Sequence, residues 1–202
     1  MNRLDFAGLI ASRICHDLSS PVSVIANGIE LIADEADPEQ RIEIGQLVSA
    51  SASVLVSRLR CYRLLFSGGP ELPAPLVEAR SALAEYLSGN DQVSLDWTSG
   101  VAPRTRTELR LLLALAITAA EAVEGGGTIT IETDSAGWRV AATGPRITLS
   151  SEQRAALKGA PSDDVRPRCA IAVLAAALAE SIGVTVTVAD TSTRLTFGVP
   201  KR

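Results

Sequence analysis

Apolar residues recur every three or four positions through the first third of the chain and then give way to shorter alternating runs, which predicts a helical part followed by a mixed part. Phe6, Ile10, Ile14, Leu18, Pro21 with Val22, Ile25, Ile29 and Ile32 make one helical stripe, so a first helix is expected from about Leu4 to Ala36. Asp37-Pro38-Glu39-Gln40 then offers an N-cap, a first-turn proline and a glutamine at the third helical position. A second helix follows to about Phe66, with Ile44, Leu47, Val48, Ser51, Val54, Leu55, Arg58, Leu59, Tyr62 and Leu65 on its stripe. The two form an antiparallel hairpin. A lone hairpin leaves each stripe half exposed, so a partner is expected, and two-fold pairing of hairpins into a four-helix bundle is the simplest one. The other arrangement is a monomer in which the rest of the chain folds over the hairpin.

Ser67-Gly68-Gly69-Pro70, followed by Pro73 and Pro75, reads as a linker between a domain at 1–68 and a domain at 71–202. Beyond it the elements are short. A helix over about Pro75 to Leu87 precedes a strand, Val93 to Trp97, and Thr107 caps a helix reaching Glu124 that is apolar nearly all round, as a buried helix is. Gly125-Gly126-Gly127 ends it. Thr128 to Thr133 and Trp138 to Ala142 alternate with period two across Asp134-Ser135-Ala136-Gly137 and predict a hairpin. An alanine-rich helix, Ala170 to Ile182, leads to a second hairpin, Val184 to Val188 with Leu195 to Val199. The fold class is therefore α+β: an N-terminal helical hairpin, then an α/β sandwich with helices over one face of a mixed, largely antiparallel sheet.

Composition narrows the partners. The 202 residues are 47% hydrophobic with a formal net charge of −4, enough for a core and the wrong sign for nucleic acid or an anionic membrane surface. The longest apolar run, Leu111 to Ala120, is too short to span a bilayer, and the N-terminus lacks a charged start followed by an apolar block. A cytoplasmic protein is expected. Cys15, Cys61 and Cys169 are far apart, form no CxxC pair and have one histidine among them, so no metal set is expected and the thiols should be reduced.

That histidine, His16, is the sole one in the chain. At about 100° per residue it lies roughly 160° from both Ile14 and Leu18, so it should point away from the packed stripe. Asp5, Leu9, Ser12, Arg13, Ser19, Ser20, Ser23 and Asn27 share its outward side by the same rotation. Small and polar neighbours leave an imidazole open to another protein. Imidazole is neutral and nucleophilic near pH 7, and beside a carboxylate it suits phosphoryl transfer. The plain alternatives are a solvated histidine without chemistry and, for Asp17, a solvated helix charge.

His16-Asp17-Leu18-Ser19-Ser20-Pro21 resembles the motif of the dimerisation and phosphotransfer helix of two-component signalling proteins: His, acidic, apolar, polar, any residue, Pro. A proline inside a helix costs about 3 kcal/mol, which makes its place in the motif informative. The element order after the hairpin resembles the ATP-binding domain of histidine kinases, yet the nucleotide residues of that family are largely missing. Ala142 stands where the adenine-binding aspartate would be, in Ala142-Thr143-Gly144-Pro145-Arg146-Ile147. Thr118-Ala119-Ala120-Glu121-Ala122 contains no Mg-binding asparagine, and Arg166-Pro167-Arg168-Cys169 replaces the glycine-rich turn that cradles phosphates. A kinase-like scaffold that keeps the histidine and lacks the nucleotide site resembles the ChpT-type histidine phosphotransferases.

The resemblance implies a homodimer in which His16 takes a phosphoryl group from the receiver-domain aspartate of a hybrid histidine kinase and hands it to a response-regulator aspartate. It implies that Asp17 orients the imidazole and assists proton transfer, that Mg²⁺ comes with the receiver, and that no cofactor resides in this chain. Leu9, Ser12, Arg13, Ser19, Ser20, Ser23 and Asn27 are then the docking surface, with Arg104, Arg106, Arg166 and Arg168 as further candidates against an acidic receiver. Two other readings stay open: an ATP-dependent sensor histidine kinase core with a divergent nucleotide site, and a non-catalytic dimeric scaffold.

Overall fold

The computed structural model describes residues 2–66, 75–89, 93–97, 103, 105–133, 135–160 and 165–201. A capping box opens the first helix: the Asn2 side chain accepts from the Asp5 N–H, and the Asp5 carboxylate accepts from the Asn2 N–H. Helix α1 (Arg3–Asp34) continues through Pro21, and α2 (Pro38–Phe66) returns antiparallel to it. The expected Asp37 cap is present, its carboxylate accepting from the Glu39 N–H at 2.9 Å. The helices approach closely at Gly28, where a Cβ would come within 2.4 Å of Val48 Cγ2.

The chain continues through α3 (Leu76–Ser88), β1 (Val93–Trp97), α4 (Arg106–Glu121), β2 (Val123–Glu124), β3 (Gly127–Thr133), β4 (Gly137–Thr143) and β5 (Arg146–Ile147). It ends with α5 (Ser151–Leu157), a 3₁₀ turn (Pro167–Cys169), α6 (Ala170–Ser181), β6 (Thr187–Asp190) and β7 (Arg194–Pro200). The main sheet has the order β1-β3-β4-β7-β6; β1 runs parallel to β3 and the other pairs are antiparallel. Helix α4 supplies the crossover that a parallel pair requires. Ile129, Ala142 and Leu195 sit side by side across three strands, as do Ile131, Val140 and Phe197, and all six are buried. Against them packs α4, buried along most of its length, and the alanine-rich α6 packs against α4 in the same core. Cys61, Tyr62 and Leu65 of α2 and Leu9 of α1 join this same core, so one end of the hairpin is built into the sandwich.

Three boundaries differ from the sequence-based expectation. Thr105, not Thr107, caps α4, because its hydroxyl accepts from the Glu108 N–H at the third helical position while Thr107 already lies in the first turn. That helix stops at Glu121, and Val123–Glu124 instead pairs with β5. Gly125 and Gly126, at φ of 77° and 87°, then turn the chain into β3 through left-handed conformations that suit glycine. The last hairpin begins at Thr187 rather than Val184; Val184 and Val186 pack half-buried against the core ahead of the ladder. The linker at 67–74 lies outside the described residues, and among those described no helix is long and apolar enough to cross a membrane.

Gly28→Ala tests the close approach of the two helices. In an unobstructed helix the change gains up to about 1 kcal/mol, whereas overpacking costs about 1–3 kcal/mol. A lower thermal midpoint is expected, and a higher one contradicts the close packing at Val48.

Candidate active site

His16 sits midway along α1 with its side chain 80% exposed, while the next side chain, Asp17, is only 10% exposed. His16 Nδ1 lies 3.1 Å from Asp17 Oδ1. The other carboxylate oxygen, Oδ2, accepts from Arg13 Nε at 2.6 Å and from the Tyr62 hydroxyl on α2. The backbone at Asp17 is also held. Pro21 has no N–H to offer the carbonyl four residues earlier, and Arg58 of α2 donates to that Asp17 carbonyl oxygen instead.

Arg13 carries the network into the sandwich. Its Nη2 donates to Glu121 Oε1 at 2.5 Å and its Nη1 to the Arg168 carbonyl at 3.4 Å. Glu121, at the end of α4, also accepts from Gln153 Nε2 of α5 at 3.2 Å. Burial works to raise the Asp17 pKa, but the Tyr62 hydrogen bond, the Arg13 charge and the His16 contact together hold that carboxyl below its ordinary value. At Glu121 burial wins and pushes the carboxyl up, with the Arg13 charge pulling the other way. Burial likewise pushes up the hydroxyls of Tyr62 and Tyr86, keeping both neutral, and Tyr62 is thereby a neutral donor to Asp17. The arrangement fixes one imidazole nitrogen against a carboxylate and leaves the rest of the ring in solvent, the geometry of a nucleophile aimed at an incoming molecule.

Residues 76–194 match the family model described as "Histidine phosphotransferase C-terminal domain". The chain belongs to the histidine phosphotransferase family. The protein phosphotransferase ChpT of Brucella abortus (strain 2308) is 26% identical to it over 156 residues, 76% of this chain and 70% of that protein. A solved structure described as a 1.7 Å structure of a bacterial phosphotransferase shares the fold, with a TM-score of 0.82 and 23% identity over 98% of this chain and 97% of that one.

In this phosphotransferase Ser12, Ser19, Ser20, Ser23 and Asn27 are exposed on the side of α1 that carries His16, and the Ser19 hydroxyl donates back to the Cys15 carbonyl at 2.6 Å. Leu9 and Arg13 are corrected. They are 9% and 8% exposed, Leu9 within the common core and Arg13 between two carboxylates, so neither forms part of an outer docking surface. The reason is that α1 packs against the 3₁₀ turn and α6 as well as α2, and this rotates the covered face toward Leu9, Arg13, Asp17 and Pro21. Asp17 is accordingly not a solvated helix charge. Arg166 and Arg168 are exposed and share Glu152, at 3.8 and 2.9 Å; Arg104 lies outside the described residues. Of the thiols, Cys15 is exposed and Cys61 and Cys169 are buried. Among the described residues no group of three or more His, Cys, Asp or Glu stands close enough to hold a metal ion.

The roles of Tyr62, Arg58, Glu121 and Gln153 were not apparent from sequence. One signal was available: Glu121 directly follows the largely apolar run from Leu111 to Ala120, and a carboxylate at the end of such a buried run needs a partner.

Linkage gives the pH test. A carboxyl whose folded pKa lies below its unfolded one stabilises the fold above the unfolded value, and that contribution is lost as pH falls through the folded value. Wild type should therefore exceed Asp17→Asn in unfolding free energy by about 2 kcal/mol at pH 6, with the gap closing below about pH 4. Urea titrations measure it, and a gap constant from pH 6 to pH 3 contradicts the assignment.

Proposed function

We propose that His16 carries a phosphoryl group between receiver domains, taking it from the aspartate of a hybrid histidine kinase receiver and passing it to the aspartate of a response regulator. The exposed ring with one nitrogen tied down is the observation that carries this reading. A carboxylate at Nδ1 selects the Nδ1–H tautomer and leaves the Nε2 lone pair facing outward. In the first step that lone pair attacks the phosphorus of the aspartyl phosphate. The bond from phosphorus to the carboxyl oxygen breaks, its electrons stay on the receiver's carboxylate, and an N–P bond forms. The imidazole gains positive charge, which the Asp17 carboxylate stabilises while it holds the Nδ1 proton. The second step is the reverse reaction on another receiver. His16 is the catalytic residue and Asp17 the residue that orients it.

The receiver supplies the Mg²⁺ that neutralises the transferred group, and no cofactor resides in this chain. Ser12, Ser19, Ser20, Ser23 and Asn27 form the surface on which receivers dock, with Leu9 and Arg13 supporting it from beneath. ATP has no part in this scheme. The Ala142 methyl is buried in the sheet and offers adenine no carboxylate, and Pro167 lacks the N–H that a phosphate-cradling turn would donate. The assembly is a homodimer. Ile29, Leu31, Ile42, Leu59 and Leu47, the last 64% exposed, leave an apolar surface on both helices that a second hairpin would cover in a four-helix bundle. The relay operates in the cytoplasm.

The assay is incubation of wild type or His16→Ala with a phosphorylated receiver domain and Mg²⁺. Label should pass to wild type and fall by at least about 10³-fold in the variant. Equal labelling contradicts the reading and leaves the scaffold. With ATP and Mg²⁺ alone no label is expected, and strong labelling of His16 favours a sensor kinase. Leu47→Glu should halve the mass seen by sedimentation, and an unchanged mass contradicts the bundle.

A further inference from the structure

We propose that Glu121, contributed by the sandwich, is a positioning residue for His16: it divides the hydrogen-bonding edge of Arg13 and so keeps Asp17 Oδ1 for the imidazole. The inference rests on the carrier role of His16. Along one edge of a planar guanidinium, Nε–H and Nη2–H point the same way, and they commonly grip a carboxylate with two parallel bonds, one to each oxygen. Arg13 meets Asp17 with half of that edge. Its Nε donates to Oδ2 at 2.6 Å, while its Nη2 is drawn off to Glu121 Oε1 at 2.5 Å. Tyr62 also donates to Oδ2, which leaves Oδ1 to the imidazole at 3.1 Å.

Glu121 can act as the divider because it is itself fixed. Gln153 Nε2 donates to its second oxygen at 3.2 Å, and the Arg168 carbonyl accepts from Arg13 Nη1 at 3.4 Å. Each nitrogen of the guanidinium is thereby assigned a direction by a different element: α1, α4 and the 3₁₀ turn. Without the charge on Glu121 the pull on Nη2 weakens, because a neutral amide oxygen accepts less strongly than a carboxylate does. The guanidinium then closes its fork on Asp17, and its charged Nη2–H competes with the neutral imidazole for Oδ1, which favours the stronger donor at the expense of the His16 contact. The ring reverts to the Nε2–H form that free imidazole favours, in which the outward nitrogen bears a proton and has no lone pair to attack with. A buried pair of charges is weak evidence for stability in its own right, so a role in aiming the ring accounts for this pair better than a role in holding the fold.

Because His16 is the sole histidine, ¹⁵N-histidine labelling yields one imidazole whose tautomer can be read directly by NMR. Wild type should show Nδ1–H. Glu121→Gln should shift the ring to mostly Nε2–H and lower kcat for transfer from a phosphorylated receiver about tenfold, with KM for the receiver unchanged. The double variant Arg13→Met/Glu121→Gln removes the fork together with its divider, so it should recover the Nδ1–H form and a kcat above that of the single variant. A merely structural pair gives the opposite order, with the double variant at least as impaired. Retention of Nδ1–H and of full kcat in Glu121→Gln, or Nε2–H in the double variant, overturns the proposal. The tautomer is read without any receiver, so this result stands apart from the carrier role, whose failure would show as continued labelling of His16→Ala.

Discussion

A single carboxylate, that of Asp17, joins the exposed ring to the buried frame. Its two oxygens meet three side-chain donors with different origins: His16 beside it, Arg13 one turn earlier and Tyr62 on the returning helix. Desolvating an ionised carboxylate is costly unless hydrogen bonds and opposite charge replace water, and here both do. The same residue is held a second time through its backbone, where Pro21 leaves a carbonyl for Arg58 to fill. The proline thus does more than interrupt a helix. It opens a point at which α2 is attached to α1 one residue after the histidine.

The sandwich adds a second tier. Helix α4 presents apolar side chains to the sheet along most of its length and ends in one carboxylate, Glu121, aimed at the hairpin. Gln153, set by a capping box at Ser150, steadies that carboxylate from α5. In the proposed relay this part of the chain needs no nucleotide to be useful. It supplies the fixed partner for Arg13, and through Arg13 it bears on the orientation of the imidazole.

Much of this fold was legible in the pattern of apolar residues. The period of three to four located both hairpin helices to within about two residues, and the period of two found β1, β3, β4 and β7. Elements without a long period were missed: α5 has seven residues, and β2 and β5 have two each. At the site, the outward placement of His16 followed from helical rotation, and so did the exposed serines and Asn27. Leu9 and Arg13 did not follow, since a helical wheel ranks positions on one helix and cannot show which neighbouring element covers its flank. Arg13 and Glu121 are separated by 108 positions, and only the packing of α1 against the sandwich brings them together. Sequence spacing carries no trace of such a contact.

The most direct measurement is to locate the phosphate itself. After exchange with a phosphorylated receiver, the chain can be digested under alkaline conditions and its peptides analysed by mass spectrometry. One phosphoryl group per chain is expected, on the peptide containing His16, stable to alkali and lost in mild acid as an N–P bond is. An alkali-labile acyl phosphate on a carboxylate, or a phosphate on any peptide lacking His16, would contradict it.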